Sequence, residues 1–167
     1  MSKSLPKMNM DLSETGCCPQ FNPDGWDDEK FILENKKFIK MCTKNFLHVP
    51  LNMGKAMTSA WEKVQKVNAA PKDHYLLLSY DPSPWRGEHF MEVTKDVPGL
   101  KNTRLSGTFL TKVFEGPYKN ARLWVKEMQD LVQKKDKKMK KLYFFYTTCP
   151  KCARHYNKNY VVGFAEI

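Results

Sequence analysis

No stretch of this 167-residue sequence approaches the roughly 18 consecutive apolar residues that a bilayer-spanning helix requires, so a membrane partner is not expected. The first residues, Met1 to Pro6, lack the apolar core of a secretory signal. Cytoplasmic residence is the expectation. There is no glycine-rich phosphate loop, and Ser106-Gly107 has none of the flanking glycines of a nucleophile elbow. Cysteine is scarce and odd in number, five in all with Cys17 and Cys18 adjacent, which argues against a secreted disulfide framework and for reduced thiols, a metal or redox chemistry.

What the chain does have is enough apolar material, 41% hydrophobic and 13% aromatic, to bury about two-thirds of its unfolded surface in one core. The net charge of +10 invites a nucleic-acid reading, but six lysines fall between Lys134 and Lys141. A loop of that kind draws any polyanion without specificity, so a nucleic-acid partner is not expected. Residues 24–34 carry the opposite sign through Asp24, Asp27, Asp28, Glu29 and Glu34, and can fold back on the basic side.

Thr108 to Phe114 is β-branched and aromatic and reads as a strand that Gly116-Pro117 ends. Ala121, Trp124, Val125, Met128, Leu131 and Val132 then keep the spacing of one helical face. Residues 1–29 read as a tail and a wrapping loop, and residues 30–167 as one domain. Within it, Phe31–Leu33 and Lys37–Leu47 read as strands, Met53 to Val67 as a helix, His74–Tyr80 as a buried strand, Asp81–Gly87 as a turn and Glu88–Thr94 as a strand.

The second half follows the same order. Pro50 aligns with Pro117, Gly54 with Ala121, Met57 with Trp124, Trp61 with Met128, Tyr75–Leu78 with Leu142–Phe145, and Phe90–Val93 with Phe164–Ile167. The expected fold is therefore α+β, with two strand-helix-strand-strand modules over about 30–99 and 100–167. Their strands would form an antiparallel sheet with helices on one face and a ligand cleft between modules.

Gly116-Pro117-Tyr118 after a strand, the tryptophan-bearing helix that follows, two further strands and a first half built alike together resemble the GyrI-like small-molecule-binding superfamily over roughly residues 30–167. The segment Thr147 to Cys152 is similar to a subfamily of uncharacterised proteins labelled hydrolases. The resemblance implies binding of a small aromatic or cationic molecule. One branch of the superfamily hydrolyses strained cyclopropane-containing compounds with a glutamate and a tyrosine around a water, which implies Glu166 with Tyr146 or Tyr118 here. Glu92 holds the matching place in the first half and would help bind a cation.

Aromatic faces stack on planar ligands, and Trp26, Trp85, Tyr80 and Tyr118 are the candidates to line the cleft. Trp61 and Trp124, at helical spacing, are expected in the core. The sharpest short motif is Cys149-Pro150-Lys151-Cys152, in what reads as a late loop. Two thiols so spaced can share a metal or form a disulfide. Zinc would need further ligands, with Cys17 or Cys18 joined by His155, His48 or Cys42 as the available set. A zinc or thiol-redox protein is thus the alternative to the small-molecule reading.

Overall fold

A computed structural model describes residues 3–8, 13–15 and 18–167. The chain divides into two compact units, one made of residues 34–106 and the other of residues 1–33 with 107–167. Each is an antiparallel sheet with a helix on one face, as the α+β reading anticipates.

In the 34–106 unit, β1 (Lys30–Phe46) pairs with the two-residue β2 (Val49–Pro50) and with β4 (Arg86–Glu92), which in turn pairs with β3 (Leu77–Ser83). The two strands expected around Asn35 are one strand. Asn35 takes a left-handed φ of 51°, which asparagine tolerates, and its N–H donates to the Ser106 hydroxyl at 2.8 Å, so the chain kinks without ending the strand. Likewise the expected turn over Asp81–Gly87 is narrower. The ladder slips between Tyr80 and Ser83, where Pro82 has no N–H to give, and resumes at Ser83 opposite Arg86.

Helix α1 (Met53–Lys66) lays Ala60 and Val64 on Ile39, Met41, Leu77, Met91 and Val93. Trp61, one position on and so about 100° around the helix, is 37% exposed and meets Tyr75 edge-on, at the margin of the core rather than inside it.

In the other unit the order is β5 (Lys101–Glu115), β7 (Tyr160–Glu166), β6 (Lys141–Tyr146). Strand β5 is twice the length that apolar content suggests, because its first half alternates exposed and half-buried polar residues. After a 3-10 turn over Tyr118–Asn120, α2 (Ala121–Lys134) buries Trp124, Met128 and Val132 against Leu110, Phe114, Val161 and Ala165. Gly163 allows the close approach, since a Cβ there would lie 2.6 Å from the Met128 sulfur.

The opposite face of this sheet carries Phe109, Thr111, Tyr143, Phe145, Val162 and Phe164, all buried. The amino-terminal segment covers it. Phe21, Trp26 and Phe31 set their rings 5.7–6.3 Å from those of Phe145 and Phe164. The Thr111 hydroxyl donates to the Trp26 carbonyl at 2.6 Å, the Thr111 N–H donates to the Glu29 carbonyl at 2.9 Å, and Asp27 accepts from the Val113 N–H at 2.9 Å. Ion pairs of Asp28 with Lys135 and of Glu29 with Lys3 add to the strap.

Candidate functional site

Strand register places the predicted site residues. Glu166 ends β7, with Phe109 of β5 on one side and Lys141 of β6 on the other, and cross-strand partners share a face. Its carboxylate is therefore at the edge of the aromatic layer of Phe109, Tyr143 and Phe164, half-buried. Gly107 lies beside it: a Cβ at that position would be in ordinary contact with Glu166 Oε1, at 3.5 Å. Among the described residues, no hydrogen bond or ion pair engages this carboxylate.

Tyr146 is not its neighbour. Tyr146 pairs with Val161, five residues from the Lys141–Glu166 pair, or about 17 Å along the strand. The odd separation also turns it to the α2 face, where it packs with Phe144. Tyr118 belongs with Tyr146, ring to ring at 5.5 Å, and donates to the Thr148 carbonyl at 3.2 Å. Burial, then the neighbouring Cys149 and Cys18, push the Tyr118 phenol up from its ordinary value. The tyrosine on the Glu166 face is Tyr143, which pairs with Phe164 and so lies diagonally from Glu166, about 7–8 Å between backbones.

Glu92, which ends β4, is buried and already engaged: one oxygen takes Lys36 Nζ and His74 Nε2, each at 2.8 Å. Among the described residues, the other oxygen has no partner. The bond to Glu92, against the opposing effect of burial, raises the His74 pKa, and Asp73 adds to it.

The loop aromatics part company. Trp26 is 1% exposed and is a core residue, not a cleft rim, because four aromatic rings enclose it. Trp85, in the turn between β3 and β4, is 57% exposed beside the equally exposed Phe46. Tyr80 is half-buried on β3 opposite Glu88.

The cysteines converge. Cys149 does not lie in a plain loop: it stands at the N-cap of a short helix, α3 (Pro150–Tyr156), with proline in the first turn and Asn157 closing it in the left-handed region. Seven residues without an apolar stripe give no periodicity to read. The sulfurs of Cys18, Cys149 and Cys152 all lie within 4.8 Å of one another, and that of Cys149 is 3.4 Å from that of Cys152. Thr15 places its hydroxyl 3.2 Å from the Cys152 sulfur.

Burial alone would push the Cys152 thiol up. Hydrogen bonds with Thr15, Cys149 and Cys18 outweigh it and bring the thiol down to about 7. Of the other suggested ligands, Cys42 is met by Arg86 at 3.5 Å, His48 by Asp81 at 3.2 Å and His155 by Glu14 at 3.1 Å. Cys17 lies outside the described residues. Beside the cluster runs an open groove of about 550 Å³ lined by Tyr118, Pro150, Arg154 and Lys158 among others.

One polar group escaped sequence reasoning. On the α1 face of the 34–106 unit, buried His89 sits between Ser79 at 2.8 Å and Thr43 at 2.9 Å, and Thr43 donates to Asn45 at 2.9 Å. Gly87 makes the space, since a Cβ there would fall 2.6 Å from the Thr43 hydroxyl. Burial lowers the His89 pKa. The one available signal was a polar residue at each helix-facing position of adjoining strands, invisible before pairing is known.

Comparison with known proteins gives one family and a set of folds. The model of the family described as "Bacterial hydrolase" matches residues 8–167. Among curated proteins none matches. Among solved structures, a hydrolase from Listeria innocua is similar at a TM-score of 0.60 and 13% identity, over 86% of this chain and 93% of that one. An uncharacterized conserved protein from Listeria innocua is similar at a TM-score of 0.61 and 14% identity, over 84% and 93%. A further hydrolase from that organism is similar at 0.55 and 13%, over 84% and 92%. At these identities the likeness is one of fold. No described helix is long and apolar enough to cross a membrane.

Proposed function

The chain belongs to the bacterial hydrolase family, and from that premise we propose that it hydrolyses a small aromatic or cationic molecule, with Glu166 as the base that activates water. The observation that carries this reading is a half-buried carboxylate without a described partner, at the edge of an aromatic layer, with Gly107 beside it. A carboxylate so placed can hold a water and take its proton as the oxygen attacks an electrophilic carbon. The proton then passes to the leaving group, and the carboxylate is regenerated. The negative charge of Glu166 favours a cationic substrate, and Phe109 and Tyr143, both buried, form the layer at whose edge the carboxylate stands. Tyr143, on the same face, takes the role that the GyrI-like resemblance implies for a tyrosine, in place of Tyr146 and Tyr118. The tandem duplication of modules belongs to the same reading. Its support is that β1-β4-β3 and β5-β7-β6 pair in the same order.

The test is turnover of a panel of aromatic electrophiles with strained or activated bonds. Glu166→Gln should lower the rate by about 10²–10⁴-fold, the usual worth of a general base, and Tyr143→Phe should lower it too. Tyr146→Phe should leave it unchanged. A Glu166→Gln protein that folds and keeps full activity overturns the assignment.

A further inference from the structure

We propose that Cys18, Cys149 and Cys152 form a metal site, binding one zinc-class divalent ion through three thiolates. Nothing in the proposed hydrolysis uses these residues. In a tetrahedral zinc-thiolate site the metal–sulfur distance of about 2.3 Å sets neighbouring sulfurs about 3.8 Å apart. Here the Cys149 and Cys152 sulfurs are 3.4 Å apart and all three lie within 4.8 Å, so an ion at their centre needs only small side-chain rotations. The residues come from two separated places in the sequence, which is the mark of a clip rather than of a local turn. Residues 14 and 18 are held to α3 by other contacts as well: the Tyr156 hydroxyl donates to the Cys18 carbonyl at 2.7 Å, and His155 Nε2 lies 3.1 Å from a Glu14 carboxylate oxygen. The sulfurs are thus presented by a backbone that is already fixed on both sides, and the ordering cost of binding falls accordingly.

The donor set selects the ion. Three sulfurs with no carboxylate among them are soft ligands, which suit zinc and exclude magnesium and calcium. Binding exchanges three thiol protons for the ion, leaving a site of net charge −1 with solvent in the fourth position. Lys151 and Arg154, which flank Cys152 in the sequence, offset that charge. The ion would fasten the start of the strap that carries Phe21 and Trp26 onto the sheet.

The experiment uses the full chain, purified without chelator and kept reduced, with Zn²⁺ measured by elemental analysis and Co²⁺ as the spectroscopic probe. The expected result is one metal ion per chain, with a thiolate-to-cobalt charge-transfer band and the intense visible bands of a tetrahedral ion. Cys18→Ser, Cys149→Ser and Cys152→Ser should each weaken metal binding by more than about tenfold, since even loss of an outer-shell partner costs that much. Cys42→Ser should leave it unchanged. Reduced wild-type protein that takes up no Co²⁺ with a thiolate band overturns the proposal, whether or not the serine variants fold. So does a protein whose Cys149 and Cys152 are recovered as a disulfide and bind no metal after reduction. Equal loss of affinity in Cys42→Ser also overturns it.

Discussion

Met128 of α2 sits directly on Gly163 of β7, filling the space where any larger residue would place its Cβ: the sulfur, Cγ and Cε all lie 2.6–3.1 Å from that point. Met128 is fully buried among Trp124, Val132 and Val161, so it has nowhere to swing. Gly163→Ala must then displace the Met128 side chain or lift α2 from the sheet. The expected cost is about 1–3 kcal/mol, the range for overpacking a close-packed core. Urea unfolding followed by circular dichroism measures it, and an unchanged midpoint would show that the helix does not approach the sheet this closely.

Trp26 and Trp85 both come from turn-rich, proline-containing segments, yet their replacement should have opposite consequences. Trp26→Ala removes a fully enclosed indole and should cost about 3–5 kcal/mol. Trp85→Ala removes one that is 57% exposed and should stay within about 0.5 kcal/mol. Thermal unfolding of the two variants side by side checks the contrast. Equal losses would mean that the strap does not bury Trp26.

This pair also shows what the sequence could and could not disclose. Elements with strong periodicity, α1 and α2, are legible to within a residue or so, because Ala60 and Val64 or Trp124, Met128 and Val132 recur with the helical turn. Strand existence is legible too. Pairing is not: whether Glu166 meets Tyr143 or Tyr146 depends on a register that no local pattern encodes, and a slip of one residue reverses every face. Segments without periodicity, such as the strap around Trp26 and the helix Pro150–Tyr156, are fixed by tertiary contacts alone. The convergence of Cys18 with Cys149 and Cys152 has no local pattern to announce it, and requires the fold of residues 18–31 to become a position in space.

His74 and His89 should respond to pH in opposite senses. His74, held up by its bond to Glu92, has a folded pKa above 6.5, so its contribution to stability is complete below 6.5 and fades as pH rises through the folded value. His89 is held below 6.5 by burial. Its contribution is present above 6.5 and is lost as pH falls through the folded value. Proton NMR of the two imidazoles should find them titrating on opposite sides of 6.5. His74→Gln should also remove the decline in stability with rising pH that this residue causes, and two coincident titrations at 6.5 would contradict the bond of His74 to Glu92 and the burial of His89.

The thiol of Cys152 offers a titration that is independent of metal. In the reduced, metal-free chain, hydrogen bonds with Thr15, Cys149 and Cys18 stabilise its thiolate enough to overcome burial, with a pKa of about 7. Ultraviolet absorbance of the thiolate should therefore show one sulfur deprotonating with a midpoint near 7, and that step should be missing in Cys152→Ser. Thr15→Val, which removes one of the bonds, should move the midpoint upward. The linkage follows the sign of the shift: the depressed pKa adds stability above the ordinary thiol value and surrenders it as pH falls through about 7. A midpoint that stays put in Thr15→Val would mean that the hydroxyl does not reach the sulfur, and the contact between Thr15 and α3 would have to be redrawn.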